Sequence, residues 1–224
     1  MQFDTLDEYL SFIDTRAPDS LKHHEQINGI KLEVDPYVWN PNKGKSSKMF
    51  IQLLKDYDLE DVNNALDIGS GSGVLSLVLW KRKIRNLVAV DNMQEAINNS
   101  EHNFALNNAE IEIKYSDLFS EVTGLYDLIL FNAPATHPKR RNIDYTMQSL
   151  WSPEENVRMR FLEGLQEHLS VNGRALLMYS RFPDYDPIPE MKLKDFPFSY
   201  NYLVKDNSSL SESGIIEIRR TGKD

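Results

Sequence analysis

Ala65-Leu66-Asp67-Ile68-Gly69-Ser70-Gly71-Ser72-Gly73-Val74 reads as a short apolar strand that runs into three alternate glycines and then into a helix. Glycines at such a turn let the backbone come close to a ligand, and the following helix aims its free N–H groups at the same spot. A dinucleotide fold would want G-x-G-x-x-G here, to seat a pyrophosphate. This chain has G-x-G-x-G instead, with Asp67 on the strand two residues before the first glycine. A carboxylate beside the loop repels a pyrophosphate and suits a cationic ligand such as an α-ammonium group.

That distinction favours S-adenosylmethionine, with S-adenosylhomocysteine as its product, over NAD. The next strand, Leu87-Val88-Ala89-Val90, closes on Asp91, where a carboxylate can accept both hydroxyls of a ribose. NAD enzymes place an acid at the same point, so Asp91 indicates a nucleoside without choosing between cofactors. Asp117 follows a third strand in Tyr115-Ser116-Asp117-Leu118-Phe119; it is placed to accept from an adenine amine, with Leu118 against the ring. Taken singly, each acid reads equally as a helix cap or a solvated turn residue. Three of them at the ends of three successive strands, beside a glycine loop, define a candidate cofactor site of Asp67, Gly69, Ser70, Gly71, Gly73, Asp91, Asn92, Asp117 and Leu118.

Outward from this centre the chain keeps a strand, turn, helix rhythm. Strands are expected at 64–68, 86–90, 111–115, 127–131 and 174–179, with helices at 74–81 and 94–107. Ser152-Pro153-Glu154-Glu155 offers a helix N-cap, a proline at the first helical position and a capping-box acid, opening a helix to about Leu169 that Asn172-Gly173 stops. The last stretch differs: 198–204 and 214–220 read as an antiparallel hairpin. Alternating βα units predict an α/β fold, a Rossmann-like three-layer sandwich with a mostly parallel seven-stranded sheet that ends in that hairpin. Ligands of such sheets bind at the carboxyl ends of the strands.

Before the core, Phe3, Leu6, Leu10 and Ile13 recur at helical spacing. Residues 26–38 turn extended, with a hairpin turn at Ile27-Asn28-Gly29-Ile30, and a helix is expected over 47–57. The predicted organisation is an N-terminal helix and hairpin appendage, residues 1–40, and one catalytic domain, residues 41–224. Gly44-Lys45-Ser46 looks like the tail of a phosphate-binding P-loop, but the glycine which that pattern needs five positions earlier is Trp39.

Composition bounds the function. The chain has 224 residues, 41% of them hydrophobic and 26% charged, with no cysteine. This is the balance of an ordinary globular domain, without a disulfide scaffold, a thiolate metal site or a cysteine nucleophile. No metal is expected either, since His23-His24 lacks any matching carboxylate spacing. The acidic start MQFDTLDEYL has no basic n-region, and no apolar run reaches the roughly 18 residues of a membrane span. The expected location is the cytoplasm. A net charge of −9 disfavours a surface built for phosphate backbones. The segment Thr136–Arg160 runs the other way, with Lys139, Arg140, Arg141, Arg158 and Arg160 against Asp144, Glu154 and Glu155, and reads most simply as a solvated face.

From Asn64 to Arg220 the chain resembles the class I S-adenosylmethionine-dependent methyltransferases. After the fourth strand it carries Phe131-Asn132-Ala133-Pro134-Ala135-Thr136-His137, similar to the Asn-Pro-Pro-Tyr motif of enzymes that methylate planar nitrogens. The upstream Gly29–Pro41 stretch looks like the hairpin and loop that precede the core in the HemK-like, or release-factor glutamine, methyltransferases of the small-domain superfamily. The resemblance implies Asn132 as a side-chain acceptor of a substrate N–H, also bordering the cofactor, Ala133 as a backbone acceptor and Pro134 as the residue that keeps the loop rigid. Two acceptors orient a delocalised nitrogen for in-line displacement. Ala133 replaces the first proline of the motif, and Ala135 stands where the family has an aromatic, with His137 and Tyr145 nearby as replacements. His137 is also a candidate general base.

The implied function is N-methylation of an amide or amine, on a polypeptide side chain or a specialised small metabolite. Two alternatives come with it. A nucleic-acid base methyltransferase is supported by Asn132 and the 139–141 cluster and opposed by the net charge. A catalytically silent cofactor-binding subunit is opposed by the intact glycines and acids. The chain lacks the larger helical domain that HemK-like enzymes carry before the core, which makes a release factor an unexpected acceptor.

Overall fold

The computed structural model describes residues 4–18, 20–140, 147–148, 150–152, 156–186, 195–207 and 210–221. The elements in chain order are α1 (Leu6–Asp14), β1 (His23–Ile27), β2 (Ile30–Val34), α2 (Lys45–Asp56), β3 (Asn64–Ile68), α3 (Val74–Lys81), β4 (Asn86–Asp91), α4 (Gln94–Leu106), β5 (Glu112–Tyr115), β6 (Tyr126–Phe131), α5 (Val157–His168), β7 (Leu169–Arg181), β8 (Phe198–Asn207) and β9 (Glu212–Arg220).

Seven strands form one sheet in the order β5-β4-β3-β6-β7-β9-β8. Pairing is parallel from β5 through β7, and β9 runs antiparallel to both β7 and β8. This is the mixed three-layer architecture expected from the sequence. The strand order reverses where β3 lies between β4 and β6, and at such a switch point the loops leaving the strands diverge and open a crevice.

Apolar residues on both faces of the sheet build two clusters. One joins Leu128 and Leu130 of β6 to α2, α3 and the β1–β2 hairpin, whose Ile30, Leu32 and Val34 are each 1% exposed. The other packs Ile129, Phe131 and Ile216 against Phe161, Leu162 and Leu165 of α5. A third, smaller cluster lies at the rim of the crevice, where Leu10 of α1 meets Leu150, Trp151 and Phe182.

The hairpin is held by an unusual set of bonds. Asn99 and Asn103 of α4 and its C-cap Asn107 lie four residues apart and meet the backbone of β2, and of Asp35 just after it, on the free edge. Asn107 accepts from the Lys31 N–H at 3.2 Å and donates to the Lys31 carbonyl at 2.7 Å. Asn103 does the same to Glu33, at 2.9 Å in both directions. Asn99 accepts from Asp35 at 3.4 Å and donates back to the Glu33 carbonyl at 2.7 Å.

Three expectations need correction. Helix α2 starts at Lys45, two residues early, with Gly44 as its N-cap. Asn172-Gly173 does not stop α5, which ends at His168; β7 begins at once and carries the dipeptide within a bulged stretch paired to β6. The N-cap of α5 is Asn156, which makes no side-chain capping bond, and the Pro153, Glu154 and Glu155 of the expected cap lie outside the described residues. No helix among the described residues is long and apolar enough to cross a membrane.

Candidate active site

A cavity of about 390 Å³ opens at the switch point. Gly69, Ser70 and Gly71 form one wall, Asp91 and Asn92 the next, and Asp117 and Leu118 a third. Asn132, Ala133 and Pro134 come in from the end of β6, and Tyr9 and Ile13 of α1, with Arg16 just after that helix, complete the lining.

The loop owes its shape to left-handed backbone at all three glycines, with φ of +67° at Gly69, +58° at Gly71 and +78° at Gly73. At Gly73 the requirement is double, since a Cβ would also stand 2.6 Å from Cε1 of Phe104. Gly71 is the opposite case: a Cβ there would meet nothing within 4 Å, so its backbone looks onto open space. Leu118 also holds a positive φ, +52°, which is uncommon for a branched side chain and fixes the third wall.

Asp91 is pre-set. Its Oδ2 accepts from the Gly71 N–H at 2.9 Å and its Oδ1 from the Met93 N–H at 3.0 Å, which fixes the carboxylate and leaves it acceptor capacity for a ligand. Burial raises its pKa, and the backbone donors Gly71, Met93 and Asn92 oppose the rise. Asp117 spends one oxygen on Arg160, at 2.7 Å.

Asp67 and Gly73 lie under the loop and do not form the cavity wall. Gly73 caps α3. The Oδ2 of Asp67 takes the Ser76 N–H at 3.1 Å and the Ser76 hydroxyl at 2.6 Å, tying β3 to the first turn of α3. Its Oδ1 is buried without a partner. Burial pushes this carboxyl up to about 7, with the nearby Asp91 adding to the rise and the Ser76 bonds opposing it.

A solvent-shielded carboxylate oxygen with no donor, a glycine backbone facing open space and a buried acid with lone pairs to spare form a set that fits S-adenosylmethionine. The ribose would meet the acid and the methionine portion the glycine backbone, while the Asp67 carboxyl, behind the loop, would act only through its proximity. Leu118 and Phe131 add apolar wall to the cavity.

On the acceptor side, Asn132 donates Nδ2–H to the Ser47 Oγ at 3.2 Å, while its Oδ1 is shielded from solvent and has no partner. Among the described residues nothing donates to the Ala133 carbonyl. Both acceptors assigned to the motif are therefore unspent. The loop is held from behind by Arg158, which was expected on a solvated face and is instead fully buried. Its guanidinium donates to the Pro134 carbonyl at 2.7 Å, the Thr136 hydroxyl at 3.1 Å and the Met178 carbonyl at 3.3 Å. Burial lowers its pKa to about 10. Sequence reading had no means to single out this arginine, because its acceptors come from two segments distant from it in the chain, the motif loop and β7.

His137 is not brought to the cavity. It is 2% exposed, with Nε2 3.2 Å from Asp184 Oδ1 and Nδ1 accepting from the Lys139 N–H at 3.2 Å. Phe182 and Tyr185 meet its ring edge-on. With both nitrogens engaged it pins the loop, and nothing here places it as a base. The aromatic surface absent at Ala135 comes from Trp39, Tyr9 and Phe182, which line the same end of the cavity; Tyr145 lies outside the described residues.

Three of the basic residues are paired with acids from elsewhere in the chain. Lys139 pairs with Asp7 at 2.7 Å and Arg140 with Asp14 at 2.8 Å, both partners on α1, while Arg160 pairs with Asp117. Arg141 lies outside the described residues. The cluster that supported a nucleic-acid acceptor thus serves to hold α1.

Comparison with known proteins agrees with this geometry. The model of the family described as methyltransferase small domain matches residues 42–207. A Methanocaldococcus jannaschii protein provisionally named a protein N5-glutamine methyltransferase is 38% identical over 109 residues, 49% of this chain and 53% of that protein. The release factor glutamine methyltransferase of Streptococcus pneumoniae is 27% identical over 199 residues, 84% of this chain and 70% of that protein. The crystal structure of a ribosomal protein L11 methylase from Lactobacillus delbrueckii subsp. bulgaricus superposes with a TM-score of 0.60 at 19% identity, covering 84% of each chain. The chain spans about half the length of the first curated relatives it matches.

Proposed function

The chain belongs to the methyltransferase small-domain family, and from that premise we propose that it N-methylates an amide or amine of a polypeptide side chain, with S-adenosylmethionine as donor. The observation that carries this reading is the unpartnered, solvent-shielded Oδ1 of Asn132 beside the glycine-loop cavity. An acceptor oxygen left unsatisfied in the protein is costly unless a ligand completes it. An N–H of the acceptor would complete it.

When bound, S-adenosylmethionine supplies an electrophilic methyl group on a sulfonium sulfur. The protein's share is positioning and electrostatics. Asp91 would hold the ribose hydroxyls and the Gly69–Gly71 backbone would lie along the methionine portion, with Asp67, when ionised, adding negative charge beneath the loop. Asn132 Oδ1 and the Ala133 carbonyl accept two N–H groups of a planar acceptor nitrogen, so that its out-of-plane density faces the cavity. Arg158 keeps Pro134 from moving while this happens. The acceptor nitrogen loses its proton after gaining a methyl group, and with His137 engaged elsewhere that proton goes to solvent.

The experiment is direct. Purified protein with methyl-labelled S-adenosylmethionine is offered glutaminyl peptides, lysyl peptides and total RNA in parallel. The expected result is label on nitrogen of a peptide, localised by mass spectrometry. Label confined to RNA, or to oxygen, overturns the proposal.

A further inference from the structure

Ser47 stands in the first turn of α2, is 1% exposed, and lies 85 residues from Asn132 in sequence. Two donors converge on its Oγ. One is Nδ2 of Asn132 at 3.2 Å and the other is Nε1 of Trp39, also at 3.2 Å. The indole is itself fixed, because a Cβ at Gly44 would lie 2.3 Å from its Cζ2; only glycine at the N-cap of α2 lets the ring lie there. The chain of contacts thus runs from Gly44 to Trp39, from Trp39 to Ser47 and from Ser47 to Asn132, and it ends at an amide whose oxygen is unspent.

An asparagine amide has two faces of opposite character, and turning it over exchanges an acceptor for two donors. A site that reads an N–H needs the oxygen outward, held within roughly 10–20° of the productive direction. Nothing on β6 or in the motif loop supplies that choice for Asn132. The bond to Ser47 does, by engaging the nitrogen, and the Trp39 bond keeps the Ser47 hydroxyl where that nitrogen can find it.

We propose that Ser47, supported by Trp39, is a positioning residue that sets the Asn132 amide with its nitrogen engaged and its oxygen free for the acceptor. This rests on the amide-or-amine reading above. It places part of the acceptor-orienting machinery in the first turn of α2 and the loop before it, well upstream of Asn132 and Ala133.

The test uses the full-length protein, labelled with nitrogen-15 and loaded with S-adenosylhomocysteine. The Asn132 side-chain amide pair is identified as the pair of signals lost in Asn132→Asp. In Ser47→Ala that pair should shift and exchange faster with water, while S-adenosylhomocysteine affinity stays within about twofold. Ser47→Thr, which keeps the oxygen, should return the pair toward its original position, and Trp39→Phe should move it in the same direction as Ser47→Ala. With an acetylated glutamine methylamide as acceptor probe, Ser47→Ala should lower kcat about tenfold with KM for the donor unmoved. Unmoved Asn132 signals in Ser47→Ala overturn the proposal. So does a loss of turnover that Ser47→Thr fails to restore and that is accompanied by weaker S-adenosylhomocysteine binding, which marks a general structural defect. If the signals respond as expected while the wild type methylates no amide or amine probe, positioning stands and the acceptor reading falls.

Discussion

Arg140 grips Asp14 with Nε 3.2 Å and 3.0 Å from the two carboxylate oxygens and Nη2 at 2.8 Å. Trp151 adds its indole N–H to the same carboxylate at 2.8 Å. The last residue of α1 is thereby tied to the loop that follows the acceptor motif. A helix that lines the cavity is held by three donor nitrogens converging on one carboxylate.

Asp14→Ala should therefore loosen α1 and leave the buried Trp151 indole without its acceptor. The expected cost is about 1–3 kcal/mol, given a charge-assisted, half-shielded set of bonds. A double-mutant cycle with Arg140→Gln in urea should show clear coupling, whereas strict additivity would mean that the pair contributes nothing. Affinity for S-adenosylmethionine should hardly change, because α1 lies at the acceptor end.

Asp91→Ala removes the proposed ribose acceptor and frees the Gly71 N–H that it organises. Donor affinity should drop by about 10–100-fold, the range for a lost hydrogen bond to a charged partner. Calorimetry giving equal affinity for both proteins would take Asp91 out of the cofactor site.

The pH dependence should follow Asp67. Its carboxyl is raised to about 7 by burial, whereas an unfolded aspartate titrates near pH 3.9. Between those values the native chain keeps a proton that the unfolded chain has lost. This group's contribution to stability is therefore fully present below about pH 4 and is lost as pH rises toward 7. Asp67→Asn should flatten the stability profile across that window, as read from urea midpoints at pH 5 and pH 7.5. An unchanged slope would show that Asp67 is ionised in the native state throughout.

Arg158→Leu keeps the bulk and removes the donors to Pro134, Thr136 and Met178. Stability should fall by about 2–4 kcal/mol, since buried carbonyls lose charged partners. Turnover should fall further than donor affinity, because the disturbed loop carries Asn132. Thermal melts together with donor titration check both halves of this expectation.

The fold was legible because it is written in local pattern. The apolar run 64–68, the glycines after it and the periodicity of 74–81 each specify their own element, and both boundaries of α3 fall where the sequence places them. The cofactor wall was legible for the same reason, being built from strand ends. What escaped was long-range. Nothing near Ser47 in the chain announces Asn132, and Arg158 reads as one more basic residue until β7 supplies the Met178 carbonyl. His137 looked available because a histidine beside a motif carries no mark of the Asp184 that will engage it. The basic stretch likewise hid its partners, which lie more than 120 residues earlier on α1.

The asparagine series on α4 bears on how the chain avoids sticking to itself. Four residues of helix advance about 6.0 Å, and two residues of strand about 6.7 Å, so side-chain amides at every fourth helical position nearly match the repeat of an extended chain. The slight lag accumulates along the series. Asn107 and Asn103 each clasp a single residue of β2, whereas Asn99 reaches Asp35 at only 3.4 Å and turns its nitrogen back to Glu33. In effect the helix substitutes for a third strand of the hairpin. A two-stranded ribbon with bare N–H and C=O groups along one side is a template for recruiting another chain, and here that side is closed by amides from within the same molecule. A change such as Asn103→Leu would reopen it, and its first symptom should be assembly of the chain into oligomers.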